Sequence, residues 1–243
     1  PYGTFGHTNV LALFLVVGGA FGIDLFFHFK DKFKKILLVI FGFSIFVALF
    51  LTFSRVAWFM AFLFWGYLIL KNIPRKMFTR KNILRWSIYV LPVLLVLFLV
   101  FYKAIIWRLN PFLDTTWQSY NERLIVIEKS WELVKESWLT GGGVGNIIIS
   151  LTYKLTGYPL WMLEPVHNTY LLVLCDIGVF GFLSFIFFLY SFYSKNSSAF
   201  SKTIFFVVLF YMFFDHCFWD IRQTQYLMIF ILSLIAIDRP KIQ

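Results

Sequence analysis

Seven apolar segments divide the 243-residue chain, separated by short polar stretches and one long one. Runs of about 20 apolar residues are long enough to cross a bilayer as an α-helix. The third and last segments are shorter, which is typical of spans that are tilted, extended or partly enclosed by protein. The pattern predicts an all-α membrane protein, a polytopic bundle of about seven transmembrane helices at residues 8–28, 36–53, 55–70, 86–106, 168–193, 203–219 and 224–237.

Basic residues give this bundle an orientation. Four polar segments hold 14 of the 22 Lys and Arg residues, at 30–35, 71–85, 195–202 and 239–241. All four fall on one side of the membrane if the seven spans alternate in direction, and Lys and Arg concentrate in cytoplasmic loops. We therefore expect the N-terminus of the chain outside and its C-terminus inside.

The long polar stretch, residues 107–166, is predicted to be an extracytoplasmic loop that contains an amphipathic helix. Its apolar residues recur with helical spacing, at Leu124, Ile127, Trp131, Val134 and Trp138. An S-x-x-E capping box at 119–122 is expected to begin the helix, and the glycines at 141–143 to end it. The chain is thus expected to be one integral membrane domain, with four spans in 1–106, this loop, and three spans in 167–243.

Composition excludes a soluble protein. The chain is 60% hydrophobic and 14% charged, whereas soluble domains carry about 25% charged residues. The net charge of +10 is assigned to cytoplasmic loops, so we expect the lipid bilayer and no nucleic acid as a partner. Cys175 and Cys217 lie in apolar runs and are expected to be buried thiols. Because the chain begins with Pro1 and has no signal-peptide pattern, we expect further N-terminal spans to precede it.

Residues 167–181, HNTYLLVLCDIGVFG, are the most informative for chemistry. Ionisable groups at or within a membrane are costly and by default indicate function. His167 has an ordinary pKa near 6.5, which suits a general base at neutral pH. Its alternative role is a hydrogen bond to a neighbour at the membrane interface. Asn168 is expected to orient the imidazole or to bind a sugar hydroxyl.

Two arginines are candidate anion ligands. Arg55 lies in a turn between two spans, where it either binds phosphate oxygens bidentately or anchors the helix at the interface. Arg123 is expected to open the amphipathic helix, where an anion would relieve its unfavourable interaction with the helix dipole. A solvated pair with Glu122 is the alternative for Arg123.

Asp176 lies nine residues after His167, which places it half a helical turn out of phase. We expect it to pair with another span, through Arg55 or Arg222, and we expect Gly178 and Gly181 to form a small-residue packing face. The glycine-rich residues 141–146 lack a P-loop lysine. They are expected to be a helix stop and flexible loop, with close approach to a ligand as the alternative.

Asp215, His216, Asp220 and Arg222 cluster at the last outer turn. Two acids and a histidine suggest a metal site, yet their spacing matches no standard ligand motif. We expect Asp215, His216 and Arg222 to line the same outer cavity as His167, with no metal bound.

Five segments, in order along the chain, resemble the O-antigen ligase and polymerase superfamily of bacterial membrane glycosyltransferases. They are GTFGHTNVLALFL, SRVAW, ERLIVIEKSWELVKESWLTGGGVGN, HNTYLLVLCDIGVFG and FFDHCFWDIRQTQ. Each motif is short, but their shared order, the long loop and the topology make the combination specific. Asp176 departs from the pattern, because glutamate is common at that position.

The resemblance implies an enzyme of the bacterial inner membrane with its active face outside the cytoplasm. Such enzymes move a glycan from an undecaprenyl-pyrophosphate carrier to a glycolipid, glycan or protein acceptor, without cofactor, nucleotide sugar or essential metal. Carried over by position, Arg55 and Arg123 would bind the pyrophosphate. His167 would activate the acceptor hydroxyl, and direct displacement would invert the anomeric centre.

Three alternatives remain open at this point. A polysaccharide polymerase of the same superfamily would share these residues, since the acceptor site is no short motif. A transporter of lipid-linked oligosaccharides would also place arginine and aspartate in the membrane, although inverted repeats are absent from the sequence. A scaffold without catalysis would tolerate the loss of His167.

Overall fold

The computed structural model describes residues 7–74, 114–193 and 198–237, with Phe5 and isolated positions between 88 and 110. The predicted span at 86–106 therefore lies largely outside the described residues, as do most of the basic residues of 71–85. The chain divides into two compact units, Pro1–Leu68 with Glu122–Gln243, and Ile69–Asn121.

The described residues form helices and turns and contain no strand, which confirms the all-α class. The helices are α1 (Thr8–His28), α2 (Lys32–Leu51), α3 (Arg55–Met60), a π-helical turn (Ala61–Trp65), α4 (Gly66–Asn72), α5 (Asp114–Glu136), α6 (Ile147–Lys154), a 3₁₀ turn (Leu160–Met162), α7 (Thr169–Phe192), α8 (Ala199–Tyr211), α9 (Cys217–Asp220) and α10 (Arg222–Ile237).

Three described helices, α1, α2 and α7, are long and apolar enough to cross a membrane, and α8 and α10 are shorter apolar helices. The predicted span at 203–219 is wrong in its extent, since α8 ends at Tyr211 and a turn separates it from the short α9. The carbonyls of Met212 and Asp215 in that turn accept from the N–H of Thr169 at 2.8 and 3.1 Å, whereas a continuous helix would use them within itself. The count of seven spans and their orientation stay predictions.

The main core packs α1 against α3, α8, α9 and α10. Its most buried large side chains include Leu13, Met60, Tyr211, Phe218 and Ile231. In contrast, α2 buries only Ile45 and Leu49 among its apolar side chains. Exposed apolar side chains along a long helix are typical of a surface that faces lipid. In lipid, helices associate with one another through packing rather than through the exclusion of water.

A second core joins α5 and α6 to the first half of α7, around Val134, Leu151 and Leu172. The predicted apolar stripe of α5 is therefore divided, because Val134 is buried whereas Trp131 and Trp138 are exposed. The predicted helix start is also wrong. The helix begins at Asp114, so the proposed capping box lies inside it and cannot cap it.

The segment that follows α5, residues 137–146, is called the glycine loop here. It docks on a break in α7, where Gly178 has φ 63° and ψ −171°. The N–H groups of Gly142 and Gly143 donate to the carbonyls of Cys175 and Asp176, at 2.8 and 2.9 Å. The loop thus satisfies carbonyls that the broken helix leaves open.

This docking corrects two expectations about glycines. A Cβ on Gly178 would lie 2.3 Å from the carbonyl oxygen of Leu139, so the loop backbone occupies the space beside it. The missing side chain of Gly178 therefore leaves room for the backbone of the glycine loop rather than for a neighbouring helix. The glycine loop is also more than a flexible helix stop, because the N–H of Val179 donates back to the carbonyl of Trp138 at 2.8 Å.

Candidate functional site

Asp215 joins three segments at one end of the main core. Its carboxylate accepts hydrogen bonds from Asn9 Nδ2 at 2.9 Å and from the N–H of Cys217 at 3.0 Å. Its backbone carbonyl accepts from Thr169 Oγ1 at 2.7 Å. Because Asp215 is buried, these bonds hold the starts of α1, α7 and α9 together around the α8–α9 turn.

Asn9 extends this network to the turn before α3. Its side-chain oxygen accepts from Ser54 Oγ at 3.1 Å, and its carbonyl accepts from the Tyr211 hydroxyl at 2.7 Å. The turn is strained, because Phe53 adopts φ 53°, which a bulky residue rarely does. Strained backbone of this kind clusters at functional sites. Ser54, the residue before Arg55, is thus linked to Asp215 through the side chain of Asn9.

Two histidines lie side by side next to Asp215. The ring centroids of His167 and His216 are 5.1 Å apart. His216 Nδ1 donates to the Asp220 carboxylate at 2.8 Å, and His167 Nε2 lies 3.4 Å from Glu164 Oε2. The Nδ1 atom of His167 is buried and has no hydrogen-bond partner in the described part of the chain. This nitrogen therefore has a lone pair or N–H group that no described residue satisfies.

The two imidazoles have different electrostatic surroundings, which shift their pKa values in opposite directions. Burial and the positive charge of Arg123 lower the pKa of His167 to about 4, against the opposing charge of Asp215. Burial also acts to lower the pKa of His216, but the hydrogen bond to Asp220 and the charges of Asp220 and Asp215 outweigh it and raise that pKa. At neutral pH His167 is consequently the neutral imidazole and can accept a proton.

Both candidate arginines lack an acidic partner. Arg55 is exposed at the start of α3, and Arg123 is half-buried in α5. Neither forms an ion pair with an acid among the described residues. The argument from the helix dipole fails for Arg123, because α5 begins at Asp114 and Arg123 lies in its third turn. The positive charge of Arg123 nevertheless contributes to the lowered pKa of His167.

Asn168 has a structural role that the sequence did not predict. Its side chain caps α7, accepting from the N–H of Leu171 at 2.9 Å, and it donates to the carbonyl of Phe213 at 3.2 Å. Neither bond involves the imidazole of His167, so the expectation that Asn168 orients that ring is wrong. The amide fixes the start of α7 against the α8–α9 turn instead.

Asp176 contacts another segment of the chain, but its partner there is a tryptophan rather than Arg55 or Arg222. One of its carboxylate oxygens, Oδ2, accepts from Trp219 Nε1 at 2.8 Å and from the N–H of Gly145 at 3.1 Å. Arg222 is exposed at the start of α10 and forms no ion pair with a described acid. The structure thus brings Asp215 and His216 to His167, but leaves Asp176 and Arg222 outside this contact network.

One group of described residues has the geometry to hold a metal ion. Single donor atoms of His167, Asp215 and His216 all lie within 4.8 Å of one another. However, both carboxylate oxygens of Asp215 already accept hydrogen bonds, from Asn9 and Cys217. Each oxygen keeps a second lone pair, so these bonds alone do not exclude a metal, and the expectation that none binds remains a prediction.

Several residues of this site escaped sequence reasoning. Asn9 and Ser54 belong to two of the sequence motifs that resemble the family. Their hydrogen bond joins the starts of two helices that are far apart in sequence, so spacing along the chain could not predict it. Thr169 looks like any small residue at a helix start, although it is fully buried and binds Asp215. Only Asp220, four residues after His216, had a usable signal, namely the i, i+4 spacing of a helical pair.

No curated protein and no solved structure matches the chain significantly. A family model does match, the one described as O-antigen ligase, over residues 36–186. This is more than half of the chain, and it includes Arg55, Arg123 and His167 but ends before Asp215. An all-helical chain with apolar membrane-spanning helices is the architecture expected of that family. The chain therefore belongs to the O-antigen ligase family.

Proposed function

We propose that the chain is a membrane glycosyltransferase that moves a glycan from undecaprenyl pyrophosphate to an acceptor hydroxyl. The observation that carries the proposal is the imidazole of His167, whose pKa burial and Arg123 lower and whose Nδ1 atom has no partner among the described residues. A base and an anion-binding cation are the two groups that this reaction requires. Family membership supplies the substrate class.

Arg55 and Arg123 are assigned to the pyrophosphate. A guanidinium binds phosphate oxygens bidentately and keeps its charge beside lipid. The partly buried position of Arg123 strengthens such a contact, because fewer water molecules screen it. Arg55 stands on the strained turn that Asn9 and Ser54 hold in place. The two cations would thus approach the donor from different elements.

His167 is assigned the role of general base. As the acceptor oxygen attacks the anomeric carbon, the proton of its hydroxyl passes to His167, and the bond from that carbon to the pyrophosphate oxygen breaks. Undecaprenyl pyrophosphate leaves with the bonding electron pair, and one displacement inverts the anomeric centre. A bound pyrophosphate would offset the charge of Arg123, which raises the pKa of His167 and makes it a stronger base.

The acceptor can be a glycolipid, as in a ligase, or another glycan, as in a polymerase. We assign the activity to the extracytoplasmic face of the bacterial inner membrane, because His167 lies just before α7 on the side that the basic loops leave free. The ligase is the leading assignment because the family model carries that description.

The test compares glycan transfer by wild type and His167→Ala in host membranes at equal protein abundance. Removal of a general base is expected to lower transfer by about 10²- to 10⁴-fold. His28→Ala is the matched control, since His28 is an exposed histidine at the far end of α1. Arg123→Ala should instead raise the donor concentration needed for half-maximal rate.

The donor that accumulates identifies the acceptor class. Long undecaprenyl-linked chains mean that ligation failed, whereas single repeat units mean that polymerisation failed. Normal transfer by His167→Ala would contradict the general-base assignment and favour a transporter or scaffold.

A further inference from the structure

A cavity of about 150 Å³ lies between the glycine loop, α6 and the first half of α7, apart from the His167–His216 pair. Its polar lining includes Glu136, Ser137, Ser150 and Asp176, and Gly142 forms part of its wall. At roughly 30 Å³ for each water molecule, the space corresponds to about five waters. It can therefore hold a small ion with part of its hydration shell.

Asp176, which lines this cavity, has a carboxylate oxygen without a partner among the described residues. The residue is 2% exposed, and its Oδ1 atom has no hydrogen-bond partner in the described part of the chain. The other oxygen is fixed by Trp219 and Gly145. A buried carboxylate oxygen without a donor is costly unless a cation, a proton or a ligand hydroxyl compensates it.

Two further observations favour a cation. Asp176 stands in the last turn before the break at Gly178, and the end of a helix segment carries a partial negative charge that disfavours an anion. Glu136, the second acid of the cavity, already pairs with Lys154. Asp176 is therefore the one acidic residue of the lining that has no ion pair with a described cation.

We propose that this cavity binds a small monovalent cation of the sodium type. Asp176 Oδ1 is its charged ligand, and the hydroxyl oxygens of Ser137 and Ser150 with waters complete an oxygen shell. Oxygen ligands suit hard cations, and carbonyls and carboxylates at broken membrane helices form sites of this kind. The bound ion would stabilise the docked glycine loop. This proposal does not depend on the proposed glycosyl transfer.

The first test measures thermal unfolding of the purified full-length protein in detergent. Tryptophan fluorescence reports the transition in NaCl, KCl and choline chloride at equal ionic strength. Sodium is expected to raise the unfolding midpoint by on the order of a few degrees over choline, in a saturable way. An equal midpoint in all three salts would overturn the proposal and assign the cavity to water or a protonated Asp176.

Variants then locate the ion. Asp176→Asn should abolish the sodium shift, and Glu128→Gln should keep it, since Glu128 is an exposed acid of α5 outside the cavity. A sodium shift that persists in Asp176→Asn would overturn the site. If Asp176→Asn fails to fold, Ser150→Ala decides instead, because it removes one ligand without changing charge. We expect Ser150→Ala to raise the half-saturating sodium concentration at least threefold. An unchanged half-saturating concentration would contradict the proposed oxygen shell.

The nature of the ion is tested with CaCl₂ and MgCl₂ added in choline chloride. Sodium specificity predicts no shift from millimolar divalent ions. Stabilisation by calcium at lower concentration than sodium would overturn the monovalent assignment.

Gly142→Ala provides an independent variant, because a Cβ there would lie 3.7 Å from the Cys175 carbonyl oxygen and 4.0 Å from Ser150 Oγ. It fits the loop, narrows the cavity and should weaken the sodium shift.

Discussion

The chemistry of the site is decided by the surroundings of single residues rather than by residue type. His167 and His216 are the same amino acid 5.1 Å apart, yet their pKa values are displaced in opposite directions. Burial and the charge of Arg123 lower the pKa of His167, whereas Asp220 raises the pKa of His216. Sequence identified both histidines, but it assigned His167 an ordinary pKa because Arg123 is 44 positions away along the chain.

The displaced pKa of His167 predicts an unusual pH profile. An ordinary imidazole would lose its base form below about pH 6.5. With a pKa of about 4, His167 stays neutral, and kcat/KM for transfer is expected to change less than about twofold between pH 7.5 and 5.5. Arg123→Gln removes a positive charge, which raises the pKa and moves the acid limb of the profile upwards.

Stability must be measured alongside that profile. The folded-state pKa of His167 lies below its ordinary value, so the unfolded chain binds more protons between pH 6.5 and about 4. The free energy of unfolding therefore falls as the pH falls through this window. Unfolding midpoints at each pH separate this loss from the loss of the base. A wild-type acid limb near pH 6.5 with an intact fold would contradict the prediction.

At the scale of elements, the break in α7 is the feature that sequence did not predict. The span predicted at 168–193 agrees with the helix Thr169–Phe192, because a long apolar run dictates a membrane helix. Gly178 was predicted only to form part of a packing face, with no break at that position. The partner of the kink is a loop more than 30 residues earlier, and no local pattern connects the two.

We expect Gly178→Ala to undock the glycine loop. An alanine there must adopt positive φ, and its Cβ would meet the Leu139 carbonyl oxygen at 2.3 Å. Substitutions of this kind destabilise by more than about 1 kcal/mol. Thermal unfolding and limited proteolysis of residues 137–146 measure the effect. Gly66→Ala is the control, because a Cβ at Gly66 meets open space. Equal behaviour of the two variants would contradict the docking.

The amphipathic helix shows a second limit of local patterns. Its existence was predicted from the 3.6-residue period, and α5 confirms it. The start of this helix was predicted wrongly, because Ser119 and Glu122 match a capping box but lie within the helix. The apolar stripe was also treated as one face, whereas packing on α6 and α7 buries Val126 and Val134 and leaves Trp131 exposed.

At the scale of the whole molecule, contacts between distant parts of the chain define the site. The bond from Asn9 to Asp215 joins residues 206 positions apart. Hydropathy could predict that these helices share a membrane, but not which of their ends meet. The sequence therefore predicted the candidate His167 and its neighbours Asp215 and His216, while the supports Asn9, Ser54 and Thr169 required coordinates.

The predicted orientation can be tested by labelling with a membrane-impermeant maleimide. Both native cysteines, Cys175 and Cys217, are buried and should not react. Tyr153→Cys introduces a thiol at a position that is 79% exposed on α6, in the predicted outer loop. Lys32→Cys introduces one beside the first basic segment. Intact spheroplasts should label Tyr153→Cys only, and Lys32→Cys should react after permeabilisation. The reverse pattern would overturn the orientation.

The docking of the glycine loop on α7 has a consequence for how such chains can diverge. Its three backbone hydrogen bonds, from Gly142, Gly143 and Val179, use no side-chain atoms. Substitutions at exposed loop positions such as Val144 should therefore be tolerated. An inserted or deleted residue between Trp138 and Gly143 would instead shift every donor away from its carbonyl. Among diverging copies of this chain, the length of this loop should be better preserved than its exposed residues.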